Sequence, residues 1–377
     1  MGNLTRANIQ NPYEVGNNYP TTGEYNFAVW ADYYAGEFNG YGNRTAYMNE
    51  VEVGYDATNK TWSPVGPKYY WPKNGTLTFI GYSPASKAAY AVVGESGIKF
   101  SNYTVSTTQA EQVDLLFSER TYNQKKYWDV GNGSNTTDDE KGNAITGAGS
   151  NDKNDVYTGA HLVFKHALSS ILFNVKTDKD YTSTDETEIK LKSLKLNNVI
   201  NTATFDQGLS ETDAQGNTVT NPVTTAPTQN NGKGDNWEPS LDANQEPYKS
   251  SYPVYVNNGE GHLLTKTAYW PSINAEDNNV FNGYQDGKRT TDLILIPQSL
   301  AGITLTMEYT IKSKDSEPIY QVSTINLNEA VNADWDRGYR YIYSITLGLE
   351  SITIEPYVTP WVDANTNVNV DNNNTQY

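Results

Sequence analysis

The stretch HLVFKHALSSILFNVKTD, residues 161–178, carries the clearest information about the fold. Its apolar residues alternate with other residues, which is the pattern of a β-strand, where successive side chains point to opposite faces. The alternation changes phase halfway, from even positions to odd ones: Leu162, Phe164 and Leu168, then Ile171, Phe173 and Val175. A bulge, a bend or a strand break at Ser169–Ser170 would produce this change of face.

Two of the three histidines of the chain, His161 and His166, lie in this stretch. Their opposite parity places them on opposite faces of an extended strand, so they do not form a reactive pair. His166 shares its face with Leu162 and Phe164, which predicts a half-buried histidine hydrogen-bonded inside a β-sandwich. A metal site would need a third ligand such as the distant His262, and no partner at helical spacing is present. We therefore expect no metal ion and no cofactor.

Strand-like alternation recurs along the chain, separated by clusters of Gly, Asn, Asp and Pro. The clearest case is ITLTMEYTI, residues 303–311, and the segments YNFAVWADYY and GTLTFIGYSP, residues 25–34 and 75–84, behave similarly. Helical periodicity is weak throughout, whereas the 29 tyrosines fit pleated, half-buried surfaces. The sequence predicts an all-β protein.

Two polar stretches divide the chain. Residues 131–155 contain almost no apolar side chain and predict a long loop, and their acidic residues lack the ligand spacing of an EF-hand. Residues 206–247 form a second polar insertion. These stretches predict an N-terminal domain over residues 1–157 and a C-terminal domain over residues 158–377, with a tail at 362–377.

The composition excludes several classes of protein. A net charge of −17 argues against nucleic acid and anionic lipid as partners, because both require clustered Lys and Arg. The absence of cysteine excludes disulfides, thiolate zinc sites and cysteine nucleophiles. No apolar run reaches the roughly 18 residues that a membrane span needs, so we expect none.

Catalytic signatures are also missing from the sequence. GYSPA, residues 81–85, departs from the nucleophile elbow at its last position, and no zinc-protease motif or P-loop occurs. Carboxylates are plentiful, but none is singled out as a glycosidase pair. We interpret the tryptophans as core or inter-sheet residues, namely Trp30, Trp62, Trp71, Trp270 and Trp335. The chain is thus not expected to be an enzyme.

Several segments, in order, resemble the fimbrillin family of Bacteroidetes-type bacteria. They are YYWPKNGTLTFIGYSP, VDLLFSE, HALSSILFNVKTD, DLILIPQSL, ITLTMEYTI, DWDRGYRYIYSITL and ITIEPYVTPW. The resemblance implies two transthyretin-like β-sandwich domains in tandem. It also implies export as an outer-membrane lipoprotein whose leader is absent from this chain, and polymerisation into type V pili by donor-strand exchange.

Two regions gain a meaning from this resemblance. Some fimbrillins are cut after an arginine near the N-terminus, and Arg6 in NLTRANIQ is suitably placed, although it could equally be an ordinary exposed arginine. From Ile352 onward the apolar positions are even, and the pattern continues past Trp361 to Val362, Val368 and Val370. This segment is a candidate donor strand, with a frayed polar tail as the alternative.

The function that follows is a structural subunit or tip adhesin of a cell-surface pilus. Its partners would be other pilus subunits and a host protein or glycan receptor. The alternative is a surface glycan-binding lipoprotein, which the abundant aromatic residues would suit. A β-sandwich glycosidase is a third, less favoured class.

Overall fold

The structure is a computed structural model that describes residues 13–14, 25–58, 61–72, 74–124, 160, 162–181, 187–208, 211–212, 218–219, 236–257, 259–267, 284–285, 288–289, 292–330, 334–349 and 351–360. Several residues singled out from the sequence fall outside these ranges: Arg6, His161, Trp270, Val362, Val368 and Val370.

The protein is all-β, as the sequence predicted. The first ten strands are β1 (Tyr13–Glu14), β2 (Phe27–Tyr34), β3 (Thr45–Asp56), β4 (Thr61–Pro64), β5 (Thr76–Ser83), β6 (Ala91–Gly94), β7 (Gly97–Thr104), β8 (Leu116–Ser118), β9 (Thr121–Gln124) and β10 (Val163–His166). Short 3-10 turns lie at Tyr41–Asn43, Ala85–Tyr90 and Gln109–Glu111.

The remaining strands follow after a two-residue bend. They are β11 (Ser169–Thr177), β12 (Thr187–Ile200), β13 (Thr202–Asp206), β14 (Glu211–Thr212), β15 (Thr218–Val219), β16 (Trp237–Pro239), β17 (Lys249–Val256), β18 (His262–Leu263), β19 (Tyr284–Gln285), β20 (Lys288–Arg289), β21 (Leu293–Leu295), β22 (Thr304–Ser313), β23 (Ile319–Asn326), β24 (Tyr339–Leu347) and β25 (Ile352–Pro360). One helical turn, α1 (Leu327–Ala330), follows β23. In the described residues no helix is long and apolar enough to cross a membrane.

An eight-stranded sheet dominates the first half, in the order β1-β10-β8-β5-β2-β3-β4, with β9 also paired to β5. All eight residues of the central strand β5 are buried. Gly81 is required there, because a Cβ atom at this position would lie 2.6 Å from the carbonyl oxygen of Ala28 on β2. The glycine lets the two strands approach closely at the middle of the sheet.

Two further sheets pack face to face in the second half. One has the order β21-β11-β24-β25, and the other has the order β17-β12-β22-β23 with β18 beside β12. Alternate residues of both sheets belong to one core cluster, for example Phe173 and Tyr343 from one sheet and Leu191 and Met307 from the other. Within the first of these sheets β11 and β24 run parallel, whereas the other pairs are antiparallel.

The predicted change of face in HLVFKHALSSILFNVKTD is confirmed as a change of sheet. β10 pairs with β8 in the eight-stranded sheet, and β11 pairs with β21 and β24 in another. The break lies at Ala167–Leu168, immediately before the two serines, and both of these residues are buried. A strand that leaves one sheet for another must turn its buried face, which explains the phase change in the sequence.

A four-stranded sheet, β16-β13-β7-β6, combines strands from both halves of the chain. β7 pairs antiparallel with β13, so Thr104 lies opposite Thr202. Strands β10, β13 and β16 all follow residue 157 in the chain. They nevertheless belong to sheets that also contain strands from before residue 157, since β10 pairs with β8, β13 pairs with β7 and β16 pairs with β13. The division into tandem domains at residues 157 and 158 stays a prediction.

The insertion at residues 206–247 contributes to the core at its C-terminal end. Trp237, on β16, is buried and its Nε1 donates a hydrogen bond of 2.6 Å to the carbonyl oxygen of Ala167. A single tryptophan among polar residues gives no periodic signal, so the sequence did not reveal this contact. Trp237 therefore ties the end of the insertion to the point where the chain changes sheets.

Candidate assembly surfaces

His166 is a buried residue whose side chain is hydrogen-bonded within the fold. It is fully buried on β10, and its Nδ1 lies 3.0 Å and 2.9 Å from the two carboxylate oxygens of Asp114, which is also buried. β10 pairs with β8, which begins two residues after Asp114, so the sheet itself brings the two side chains together. The hydrogen-bonded histidine predicted from the sequence is confirmed, with deeper burial than expected.

The other histidine within the described residues, His262, lies on β18 opposite Leu191. Burial lowers the pKa of its imidazole. Across the described ranges no group of three or more His, Cys, Asp or Glu side chains has the arrangement of a metal site. Nothing in this part of the protein brings His262 and His166 into a common ligand set.

Ser83 of GYSPA and the half-buried carboxylate of Asp292 are both held by contacts within the fold. Ser83, at the end of β5, is buried with its hydroxyl 3.5 Å from the carbonyl oxygen of Tyr25. Asp292 accepts a hydrogen bond from the hydroxyl of Ser170 and lies 3.6 Å from Nη2 of Arg340. These contacts tie Asp292, which lies next to β21, to Ser170 on β11 and Arg340 on β24.

The N-terminal strand forms one end of the eight-stranded sheet. β1 pairs antiparallel with β10, so that Tyr13 lies opposite Phe164 and Glu14 lies opposite Val163. Phe164 is fully buried, and its ring centroid lies 5.3 Å from that of Phe27 in the core beneath. Because β1 pairs over only two residues, its displacement breaks few hydrogen bonds and leaves the edge of β10 open.

The C-terminal strand closes another sheet. β25 pairs with β24 over nine residues without a shift, from Leu347 opposite Ile352 to Tyr339 opposite Pro360. Its even residues Ile352, Ile354 and Val358 pack against the core. The odd residues with described side chains are exposed, so the alternation predicted from Ile352 is confirmed as far as Val358. The candidate donor residues Val362, Val368 and Val370 lie outside the described residues, so their role as a donor strand stays a prediction.

Within the described ranges, the strongly exposed aromatic residues are tyrosines. Trp335 is buried, and Trp30, Trp62 and Trp71 are half-buried against the core clusters, which confirms their predicted role in packing. Tyr70, in contrast, is 75% exposed, and Tyr47 beside it has its ring centroid 6.0 Å from that of Tyr69.

Solved structures with similar folds come from Bacteroides and related bacteria. A fimbrial protein from Bacteroides vulgatus is 17% identical, with a TM-score of 0.50 over 89% of this chain and 93% of its own. The tip fimbrial protein Mfa3 from Porphyromonas gingivalis, truncated at its C-terminus, is 10% identical, with a TM-score of 0.28 over 93% of this chain and 98% of its own. The first likeness supports a shared fold.

No curated protein matches the chain in sequence. The family comparison is positive, because residues 5–361 match the fimbrillin-like family across nearly the whole chain. This match includes every segment on which the resemblance was based, from the first YYWP motif to ITIEPYVTPW, and it agrees with the all-β fold. The chain belongs to the fimbrillin-like family.

Proposed function

We propose that the protein is a structural subunit or tip adhesin of a cell-surface pilus, exported as a lipoprotein to the outer membrane. The observation that carries the proposal is the match of residues 5–361 to the fimbrillin-like family. A role in adhesion and assembly without catalysis fits a chain whose distinctive described residues, such as His166 and Asp292, are held by contacts within the fold. The partners are other pilus subunits and a host receptor, which is either a protein or a glycan.

The proposed assembly route is donor-strand exchange at the edge of β10. Cleavage after Arg6 removes residues 1–6. The two-residue strand β1, which begins seven positions after Arg6, then leaves β10. The C-terminal segment of another subunit supplies a strand in its place, with main-chain hydrogen bonds for affinity and alternate side chains for specificity. Such a head-to-tail contact continues as a filament because it does not close on itself.

Polymerisation of the processed protein tests this route. Replacing Val362, Val368 and Val370 together by serine removes the apolar positions of the candidate donor strand, so we expect shorter polymers by electron microscopy and native gels. The matched control replaces the interleaved Asn365, Asn367 and Asn369 by serine and should leave polymer length unchanged. Deletion of residues 362–377 should act like the valine replacement.

The Arg6→Ala variant addresses processing separately. We expect an arginine-specific protease to leave its N-terminus intact and the protein to remain unpolymerised. Normal polymers from this variant would remove Arg6 from the proposal, and normal polymers from the deletion variant would remove the C-terminal strand.

A surface glycan-binding lipoprotein is the second candidate function. The observation that favours it is the pair of exposed tyrosines Tyr69 and Tyr70 beside the half-buried Tyr47, because aromatic rings can stack on sugars. Binding to a glycan array that is lost in Tyr70→Ala, but kept in Tyr357→Ala at a similarly exposed tyrosine, would support this function.

A further inference from the structure

Strand β23 forms an outer edge of the sheet β17-β12-β22-β23. It pairs with β22 over eight residues in unbroken register, from Asn326 opposite Thr304 to Ile319 opposite Ile311. Among the strands that the structure describes, none pairs with its other side. An edge strand of this kind presents a row of backbone donors and acceptors that can bind another strand.

The other edge strands carry features that discourage such pairing. β4, β17 and β25 each contain a proline, at Pro64, Pro253 and Pro356, and β17 also shifts register twice against β12. β1, β6, β16 and β21 are only two to four residues long. On β21 the backbone N–H of Ile294 donates to Oε1 of Gln112, at 2.8 Å. Short length, proline, irregular register and a covered edge are the usual protections.

β23 carries none of these protections. Its sequence, IYQVSTIN, has no charged residue, no proline and no glycine, in a chain of net charge −17. Three of its large apolar side chains are more than half exposed: Ile319 at 57%, Tyr320 at 54% and Val322 at 53%. The strand therefore combines an unblocked edge with exposed apolar side chains.

We propose that β23 pairs antiparallel with β23 of a second copy of this chain, about a two-fold axis at Val322. A two-fold axis perpendicular to the sheet places residues of equal parity opposite one another, because both copies keep the same face on the same side. With the axis at Val322, Ile319 faces Ile325 of the second copy, Tyr320 faces Thr324, and Gln321 faces Ser323. Ile319 thus meets Ile325 at each end and Val322 meets Val322 on the axis, with the pairs Gln321–Ser323 and Tyr320–Thr324 between them.

The charge distribution permits a second copy as the occupant, because β23 itself carries no charged side chain. Each copy is strongly acidic, so two copies attract only where the contact itself is uncharged. The nearest carboxylate on the adjoining strand is Glu308, which lies opposite Val322 on β22. In the paired sheets the backbones of the two Glu308 residues would be three strand spacings apart, about 14 Å, which exceeds the Debye length of about 10 Å at 0.1 M salt. Each Glu308 carboxylate accepts a hydrogen bond from the hydroxyl of Tyr320 in its own copy.

This contact differs in kind from donor-strand exchange. It uses the same surface on both partners, so it closes at two copies and cannot lengthen a filament. If the proposed function holds, the contact would join neighbouring filaments side by side through the β23 edges. Dimerisation of the unprocessed chain tests it without depending on polymerisation.

Cysteine cross-linking is a direct test, since the chain has no cysteine of its own. Residues directly opposite in an antiparallel pair have Cα atoms about 4.5–5.5 Å apart, within the range that a disulfide spans. We expect Val322→Cys to form a covalent dimer under a mild oxidant such as diamide. The matched controls, Val92→Cys and Val256→Cys on other edge strands, are 59% and 56% exposed and should form far less of it.

A charge variant provides the second measurement. Val322→Glu places two carboxylates across the axis, beside the two Glu308 side chains opposite them on β22, so we expect the concentration-dependent dimer of the parent chain to be lost in sedimentation velocity, with an unchanged circular dichroism spectrum. Val256→Glu should retain the dimer. A parent chain that stays monomeric at every soluble concentration would overturn the proposal, as would cross-linking of Val322→Cys no faster than that of the controls.

The Arg6→Ala variant separates the two proposals. It should keep the β23 dimer while failing to polymerise. Polymerisation of this variant together with a retained dimer would contradict the assembly route alone, whereas normal filaments with a monomeric precursor would contradict the β23 contact alone.

Discussion

At the scale of single residues, a histidine and an aspartate, residue types that are common in catalytic sites, stabilise the fold of this protein. His166 and Asp114 bridge β10 to the segment before β8, in a site from which water is excluded. The sequence placed His166 on the buried face correctly, because strand parity is a local property. It could not name Asp114 as the partner, because the two residues are 52 positions apart and the long polar stretch lies between them.

Replacement of Asp114 by alanine should destabilise the protein. The imidazole of His166 would lose its buried carboxylate partner, and such a loss costs about 1–3 kcal/mol. We expect a lower urea midpoint with an unchanged m-value. The control is Glu260→Ala, at a strongly exposed pair with Lys190, and it should leave the midpoint unchanged. Equal midpoints for both variants would contradict a structural role for the buried pair.

At the scale of elements, the period-two pattern identified strands and faces well. The alternation from Ile352 to Val358 matches the side of β25 that packs on the core. Pairing partners were not accessible in the same way, because hydrogen bonds between strands depend on segments far apart in the chain. The unprotected edge of β23 illustrates this limit: IYQVSTIN is an ordinary strand sequence, and only the sheet order makes it an outer strand.

The two faces of β25 can be distinguished by a matched pair of lysine variants. Ile354→Lys should lower the free energy of unfolding by about 1–2 kcal/mol, roughly half the value of a fully buried isoleucine, because Ile354 is half-buried. Thr353→Lys, on the exposed face of the same strand, should have little effect. Chemical denaturation measures both, and similar losses in the two variants would contradict the facing of the strand.

At the scale of the whole molecule, strands from the two halves of the chain lie in the same sheets. β10 extends the first sheet from beyond the predicted boundary, and β7 pairs with β13 across it. The boundary at residue 157 was inferred from polar composition, which detects loops but carries no information about which sheets the flanking strands join. The core cluster accordingly includes residues from both halves, such as Phe100 and Phe205.

Separate expression of residues 1–157 should give an insoluble or unfolded fragment. It lacks β10, whose Phe164 packs in the core of the eight-stranded sheet, and it lacks the partner of β7. A full chain cut at a protease site inserted within residues 131–155 should instead hold its two pieces together in native size-exclusion chromatography and release them in urea. A soluble fragment 1–157 with cooperative unfolding would contradict this expectation.

The pairing of β7 with β13 also sets an order of events during synthesis. Thr104 and Thr202, which face each other across this pair, are 98 residues apart in the chain. At about 5–20 residues per second, a ribosome needs roughly 5–20 s to make the strand that covers β7. During that interval the edge of β7 in the nascent first half has no strand to pair with. We therefore expect the first half to stay unfolded until translation is complete.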